Sequence, residues 1–219
     1  MKSKVMTGVD IATLVMIPVA LYFAFVYAPV EARMGVVQKI FYFHVASAWI
    51  GFFALFTAFI ASIVFLVKRS RKADDLAEAS VEIGFIFCLI VCLTGPLWAR
   101  PTWGAWWTWD PRLTTTLVLM FIYAAYILMR KFIDDPEKKA KYCAVLGIIG
   151  FFDVPVVFMS IRWWNSIHPN VAQPGGGGLH PDMRTAMFVA LAAFTLLYVS
   201  LANKRMRLAA LERKVYEGE

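Results

Sequence analysis

"FHVASAWIGFFALFTAFIASIVFLV", Phe43 to Val67, runs for twenty-five residues without a charged side chain. As a helix it would rise about 37 Å, enough to cross a hydrocarbon layer of about 30 Å. Five further largely apolar runs lie at about 10–29, 80–97, 114–129, 142–160 and 184–202, making six in chain order. The fourth is short, so its ends are expected to draw in Thr114–Thr116 and an interfacial Arg130. The 219-residue chain is 60% hydrophobic and 17% charged, whereas soluble domains are about 45–50% apolar. The expected fold is all-α: a polytopic membrane protein with six transmembrane helices, forming one membrane domain over 1–219.

The net charge of +7 is distributed by side. Lys2, Lys4, Lys68, Arg69, Arg71, Lys72, Arg130, Lys131, Lys138, Lys139, Lys141, Lys204, Arg205, Arg207, Arg213 and Lys214 all fall in one alternating set of flanks. The opposite set holds only Arg33, Lys39, Arg100, Arg112, Arg162 and Arg184. Basic residues collect on the cytoplasmic side of membrane proteins, which puts both termini in the cytoplasm. The basic excess is thereby topological, and the partner it implies is the lipid bilayer, not nucleic acid. The "MKSK" start resembles a signal peptide, but about twenty apolar residues is long for its core, so the first run is read as a retained helix.

Cys88, Cys92 and Cys143 all fall inside expected spans. Cys88 and Cys92 share a helix face, yet cysteine there reads as a small buried apolar residue. The chain has no C-x-x-C-H, the attachment motif of a covalent c-type haem.

Three segments then share the outer side: 30–42, 98–113 and 161–183. The second lies within "WARPTWGAWWTWDPRLT", Trp98 to Thr114, which holds Trp98, Trp103, Trp106, Trp107 and Trp109 and closes on Asp110-Pro111-Arg112. Trp163 and Trp164 lie in the third segment, and Trp49 sits a turn or two into the second span. An aromatic belt would decorate both interfaces, but here the cytoplasmic side has no tryptophan. The pattern points instead to an aromatic platform for a large, flat, apolar ligand, or for a partner protein bringing one.

All three histidines also fall on that side: His44 in "FYFHVASAW", His168 in "WWNSIHPN" and His180 in "GGGGLHPDM". Imidazole is an axial ligand for haem iron, and a porphyrin suits an aromatic shelf. His44 sits among Phe41, Tyr42, Phe43 and Trp49, and His168 is held extended by the following proline. His180 follows the glycine run 175–178, a flexible stretch, which leaves it the reserve. Arg100, Arg112, Arg162 and Arg184 are available to haem propionates, one or two of them at most, the others serving as interfacial anchors or as partners of Asp110. Asp153, in "GFFDVPVVF", is either functional or satisfies backbone groups freed by the Pro155 kink.

"WGAWWTWDPRLT", Trp103 to Thr114, closely resembles the signature of the WWD-domain haem-handling family of cytochrome c biogenesis. The six-span layout and short length are similar to its CcmC branch, and the likeness covers most of the chain. It implies His44 and His168 as axial ligands of a non-covalent, transiently held haem b. It also implies that the Trp103–Asp110 segment holds the haem plane. The candidate cofactor set is His44, His168, Trp98, Trp103, Trp106, Trp107, Trp109, Asp110, Arg112, Arg100 and Arg184. The same likeness implies periplasmic delivery to a membrane-anchored haem chaperone (CcmE-like), beside ABC transporter subunits (CcmA-like and CcmB-like) and a small single-span protein (CcmD-like).

The residues leave other readings open. A membrane b-type cytochrome would move electrons through the same histidines, though all three lie on one face. A haem permease subunit of an ABC-type exporter needs a polar path, and apart from Glu82 and Asp153 little would line one. A pure assembly subunit would bind only protein. No Ser-His-Asp set, phosphate loop or paired catalytic carboxylates is recognised on the outer face, so the expectation is a transfer component and not an enzyme.

Overall fold

The computed structural model describes residues 4–169 and 179–217; Lys2 and the glycine run 175–178 lie outside them. The chain runs α1 (Lys4–Tyr22), a π-turn (Phe23–Tyr27), a 3-10 turn (Val36–Lys39), α2 (Ile40–Lys68), α3 (Arg71–Trp103) and α4 (Pro111–Phe132). It continues through α5 (Pro136–Phe151), α6 (Asp153–Trp163) and α7 (Pro181–Glu217). Six helical segments are long and apolar enough to cross a membrane by length and composition: Lys4–Tyr27, Val36–Lys68, Arg71–Trp103, Pro111–Phe132, Pro136–Trp163 and Pro181–Val215. The six expected spans are present, and every one is longer than its apolar run.

The extra length changes the outer segment most. Helix α3 continues to Trp103 through Pro96 and Pro101, so Trp98, Arg100 and Trp103 are helical and the connector shrinks to 104–110. Hydropathy ends where a helix leaves lipid, not where its backbone stops. Thr94 and Thr102 keep carbonyls of Ile90 (2.7 Å) and Trp98 (2.8 Å) satisfied along this stretch. The helix stops at Gly104, whose φ of 78° suits a residue without a Cβ, and the Arg100 guanidinium donates to the Gly104 carbonyl. Helix α4 then starts on Pro111, with Asp110 as its N-cap.

At the basic end, α3 presents Asp74, Asp75, Glu78 and Glu82 to basic residues of α4 and α7. Arg130 grips Asp74 through both nitrogens (2.7 and 2.9 Å) and reaches Glu78 at 2.8 Å. Arg205 pairs with Glu82 at 2.5 Å, and Arg213 pairs with Asp75. Arg130, drawn into the last turn of α4 as expected, is also a cross-brace, its side chain 11% exposed. Thr115 and Thr116 likewise bond back to Pro111 and Arg112 of their own helix.

Helices α1 and α7 run antiparallel. Asp10 accepts from Ser200 and Lys204, both at 2.5 Å, and Tyr27 donates to Asp182 at 2.9 Å at the other end. Lys39 closes the first span by donating to the carbonyls of Ala24 (3.2 Å), Phe25 (2.7 Å) and Ala28 (3.2 Å). The centre is packed through small residues that bring helices close. Tyr123 of α4 is fully buried, donates to the Gly51 carbonyl of α2, and lies against Gly84 of α3, where a Cβ would fall 2.8 Å from its hydroxyl.

The fifth span is broken between α5 and α6, two residues before Pro155. Asp153 opens the second half but does not satisfy the freed backbone. Its Oδ2 is buried and has no hydrogen-bond partner.

Candidate functional site

Four pieces of chain meet at the tryptophan end: the first turns of α2, the last turns of α3, the connector 104–110 with the start of α4, and the segment 164–169. Helix α2 supplies His44. Its Nδ1 lies 2.9 Å from Thr94 Oγ1, and Thr94 gives its one hydroxyl proton to Ile90 O. Thr94 is therefore the acceptor, His44 Nδ1 carries the proton, and the Nε2 lone pair is left free. Gly95 lies beside the ring: a Cβ there would meet His44 Cε1 at 3.6 Å, an ordinary van der Waals contact.

His168 reaches the same state by another route. Its Nδ1 sits 3.2 Å from the Pro169 carbonyl, which can only accept, so Nε2 again keeps its lone pair. Its backbone N–H donates to Ser166 Oγ at 3.1 Å, and the Trp103 ring stands edge-on at 6.4 Å. Burial, then the Arg112 charge, push the His168 pKa down to about 4; His44 lies near enough to add to the shift. His168 is thus neutral at neutral pH. The structure brings His44, His168, Arg112 and Trp103 together.

His180 is elsewhere. It is exposed at the start of α7, where its Nδ1 accepts from the Asp182 N–H at 3.3 Å. That bond leaves the proton on Nε2, the reverse of the other two.

Asp110, expected among the cofactor contacts, has a different task. Buried to 6% exposure, it accepts from Arg112 N (2.9 Å), Ser166 Oγ (3.0 Å) and Ile167 N (2.9 Å). One carboxylate caps α4 and fastens the histidine-bearing segment to the tryptophan segment. Beside it lies a cleft of about 290 Å³, bordered by Thr108, Trp109, Asn165 and Ile167.

The tryptophans divide into two groups. Trp98 and Trp103 pack edge to face at 5.3 Å, as do Trp107 and Trp109 at 5.8 Å. Trp98 and Trp107 keep buried indole N–H groups with no acceptor among the described residues. Trp106, Trp109, Trp163 and Trp164 are more than half exposed, and Trp109 adopts φ 54°. Trp49 does not join them: it donates to Thr195 of α7 at 3.0 Å and stacks on Phe53.

Among the arginines, the Arg112 and Arg184 side chains make no hydrogen bond within the described residues. Arg100 is engaged at Gly104, and Arg162 lies over the Phe158 ring at 5.0 Å. Thr94, Gly95 and Ser166 were not singled out in the sequence. Only Ser166 left a trace there, as a hydroxyl two residues before a histidine. The cysteines are free within helices, and among the described residues no group of three or more His, Cys, Asp or Glu could hold a metal ion. His44 and His168, each with a free Nε2 lone pair, are the residues here that could hold iron carried in a macrocycle.

The family model described as "CcmC: Heme exporter protein C" matches residues 1–218. A protein named heme exporter protein C from Bradyrhizobium diazoefficiens is 36% identical over 215 residues, covering 97% of this chain and 81% of that relative. Its namesake from Escherichia coli (strain K12) is 33% identical over 199 residues, covering 90% and 80%. A putative cytochrome c biosynthesis ccmC-like mitochondrial protein from Marchantia polymorpha is 30% identical over 179 residues, covering 81% and 76%.

Proposed function

Since the chain belongs to the heme exporter protein C family, with its role in cytochrome c biogenesis, we propose that it binds haem at the tryptophan end and passes it to a periplasmic acceptor. The observation that carries this reading is the pair His44 and His168, each with Nδ1 committed as donor and Nε2 free. Two neutral imidazoles saturate haem iron, which favours holding over turnover. The haem is non-covalent haem b, its plane against Trp103 and its neighbours. Arg112, whose side chain makes no hydrogen bond among the described residues, meets a propionate, and Arg184 and Arg100 are further candidates. Asp110 acts by positioning His168.

The exposed Trp106, Trp109, Trp163 and Trp164 suit a partner surface, and the partner is a membrane-anchored periplasmic haem chaperone. ABC transporter subunits and a small single-span protein complete the assembly. The chain is a single six-span unit of the inner membrane with its site on the periplasmic side, a transfer component and not a catalyst. Passage of haem through the bundle is the less favoured reading: Glu82 is paired with Arg205, and Tyr123 fills the centre.

The test is the visible spectrum of protein purified from haem-replete cells, beside His44→Ala, His168→Ala and His180→Ala. A low-spin haem spectrum altered by the first two changes and untouched by the third is expected. A spectrum indifferent to His44→Ala and His168→Ala, or no haem even with the partners co-expressed, would overturn the assignment.

A further inference from the structure

The two histidines are held very differently. His44 lies four residues inside a 29-residue helix, between the fully buried Tyr42 and Ala46. Its tether, Thr94, belongs to another long helix and is itself bonded to that helix's backbone. To withdraw His44 from a bound iron, α2 would have to shift against α3, or the ring would have to leave its rotamer and its hydroxyl partner together.

His168 stands in the non-helical segment 164–169. Both of its own hydrogen bonds stay inside that segment, to Ser166 Oγ and to the Pro169 carbonyl. Its neighbours Ile167 and Pro169 are exposed. Apart from the Trp164 N–H, which donates to Ser160 O of α6 at 3.0 Å, the hydrogen bonds tying the segment to the helical frame among the described residues come from Ser166 and Ile167, and both end on the Asp110 carboxylate. The cleft beside Trp109 is lined by the same Asp110, Ser166 and Ile167, so the anchor of the segment lies at an open surface.

We propose that His168 is the ligand that leaves the iron during handover, while His44 stays bound until the acceptor's own donor atom has taken the vacated position. This rests on the haem-binding reading above. The step is a ligand exchange: the iron–Nε2 bond of His168 breaks, its electron pair returns to the imidazole, and a new bond forms from a lone pair of the acceptor. No electron or proton is transferred to or from either protein.

Carbon monoxide serves as the probe, because on dithionite-reduced haem it replaces one axial ligand and reports the other. The haem-loaded full-length protein is compared with His168→Ala and His44→Ala by resonance Raman spectroscopy of the carbon monoxide adducts. The expected result is that the wild-type adduct matches that of His168→Ala, since both retain His44, and differs from that of His44→Ala. The reverse match overturns the proposal.

A kinetic measurement covers the case in which an alanine variant loses its haem. At saturating carbon monoxide the binding rate equals the departure rate of the leaving ligand. Ser166→Ala is expected to raise it about fivefold by removing the hydrogen bond to His168 N. Thr94→Val, which alters only the His44 tether, is expected to change it less than Ser166→Ala does. Acceleration by Thr94→Val alone overturns the proposal. Wild-type protein without haem, with or without partners, overturns this inference and the binding reading together, so the two failures are separable.

Discussion

The Asp110 carboxylate accepts from Ser166 Oγ at 3.0 Å across fifty-six residues of chain, and this bond joins the tryptophan segment to the histidine segment. The same group takes the Ile167 N–H and caps α4. Asp110→Ala is expected to leave three donors without an acceptor. Hydrogen bonds to a charged group contribute about 1.5–3 kcal/mol each when both partners are present. The haem content of the purified variant should fall well below wild type, with Asp110→Asn intermediate. Full haem content in Asp110→Ala would show that the staple does not position His168.

His168 gives a pH signature. Its folded pKa, about 4, is below the ordinary value of about 6.5. As pH falls from 6.5 towards 4 the unfolded chain takes up a proton that the folded chain refuses, so His168 costs stability over that window and costs nothing above it. Its Nε2 lone pair accordingly stays available through pH 5. An NMR titration of the imidazole in haem-free protein should find a midpoint well below 6.5, and Arg112→Gln should raise it. A midpoint near 6.5 would contradict the burial described.

Gly84→Ala places a methyl 2.8 Å from the Tyr123 hydroxyl. Overpacking of this kind costs about 1–3 kcal/mol, and here it also presses on the bond to Gly51. Thermal unfolding in detergent should come at a lower temperature, with partial recovery in the double variant carrying Tyr123→Phe, which removes the atom closest to the new methyl.

Arg130→Ala strands Asp74, whose side chain is 9% exposed, while Glu78, 19% exposed, keeps Arg205 at 3.4 Å. Removing one partner of a buried ion pair costs about 3–5 kcal/mol. The Asp74 pair is buried enough for that range, and the Glu78 pair, with more water around it, contributes less. Arg130→Lys should recover only part of the loss, because the bidentate grip on Asp74 needs a guanidinium. Unfolding in detergent checks both, and equal stability of all three proteins would mean that the brace contributes nothing.

The six spans were readable because hydropathy reports directly on what a bilayer accepts. Their ends were less so. Trp98 and Trp103 were assigned to a loop, yet both lie on α3, because a helix continues past the hydrocarbon wherever its carbonyls still find donors. The bracing role of Arg130 was not legible because its acidic partners lie fifty-two and fifty-six residues earlier, and composition does not reveal which helices become neighbours. His44, His168 and Arg112 were named from residue type and side, and they do converge. Thr94 escaped notice because a threonine within an apolar span looks like any other small residue until the helix carrying His44 packs beside it. Asp110 was picked out by its motif, but its task depends on a segment that approaches only in the folded chain.

Trp109 combines a left-handed backbone with an indole 70% exposed. A residue with a Cβ is about 1–2 kcal/mol worse off in that conformation than glycine, and its ring gains little from burial within this chain. A glycine would be at ease in its place, so judged as a solitary molecule the chain carries the wrong residue there. That mismatch makes sense for a surface shaped to be completed by a second molecule, whose arrival covers the ring that folding alone leaves in the open.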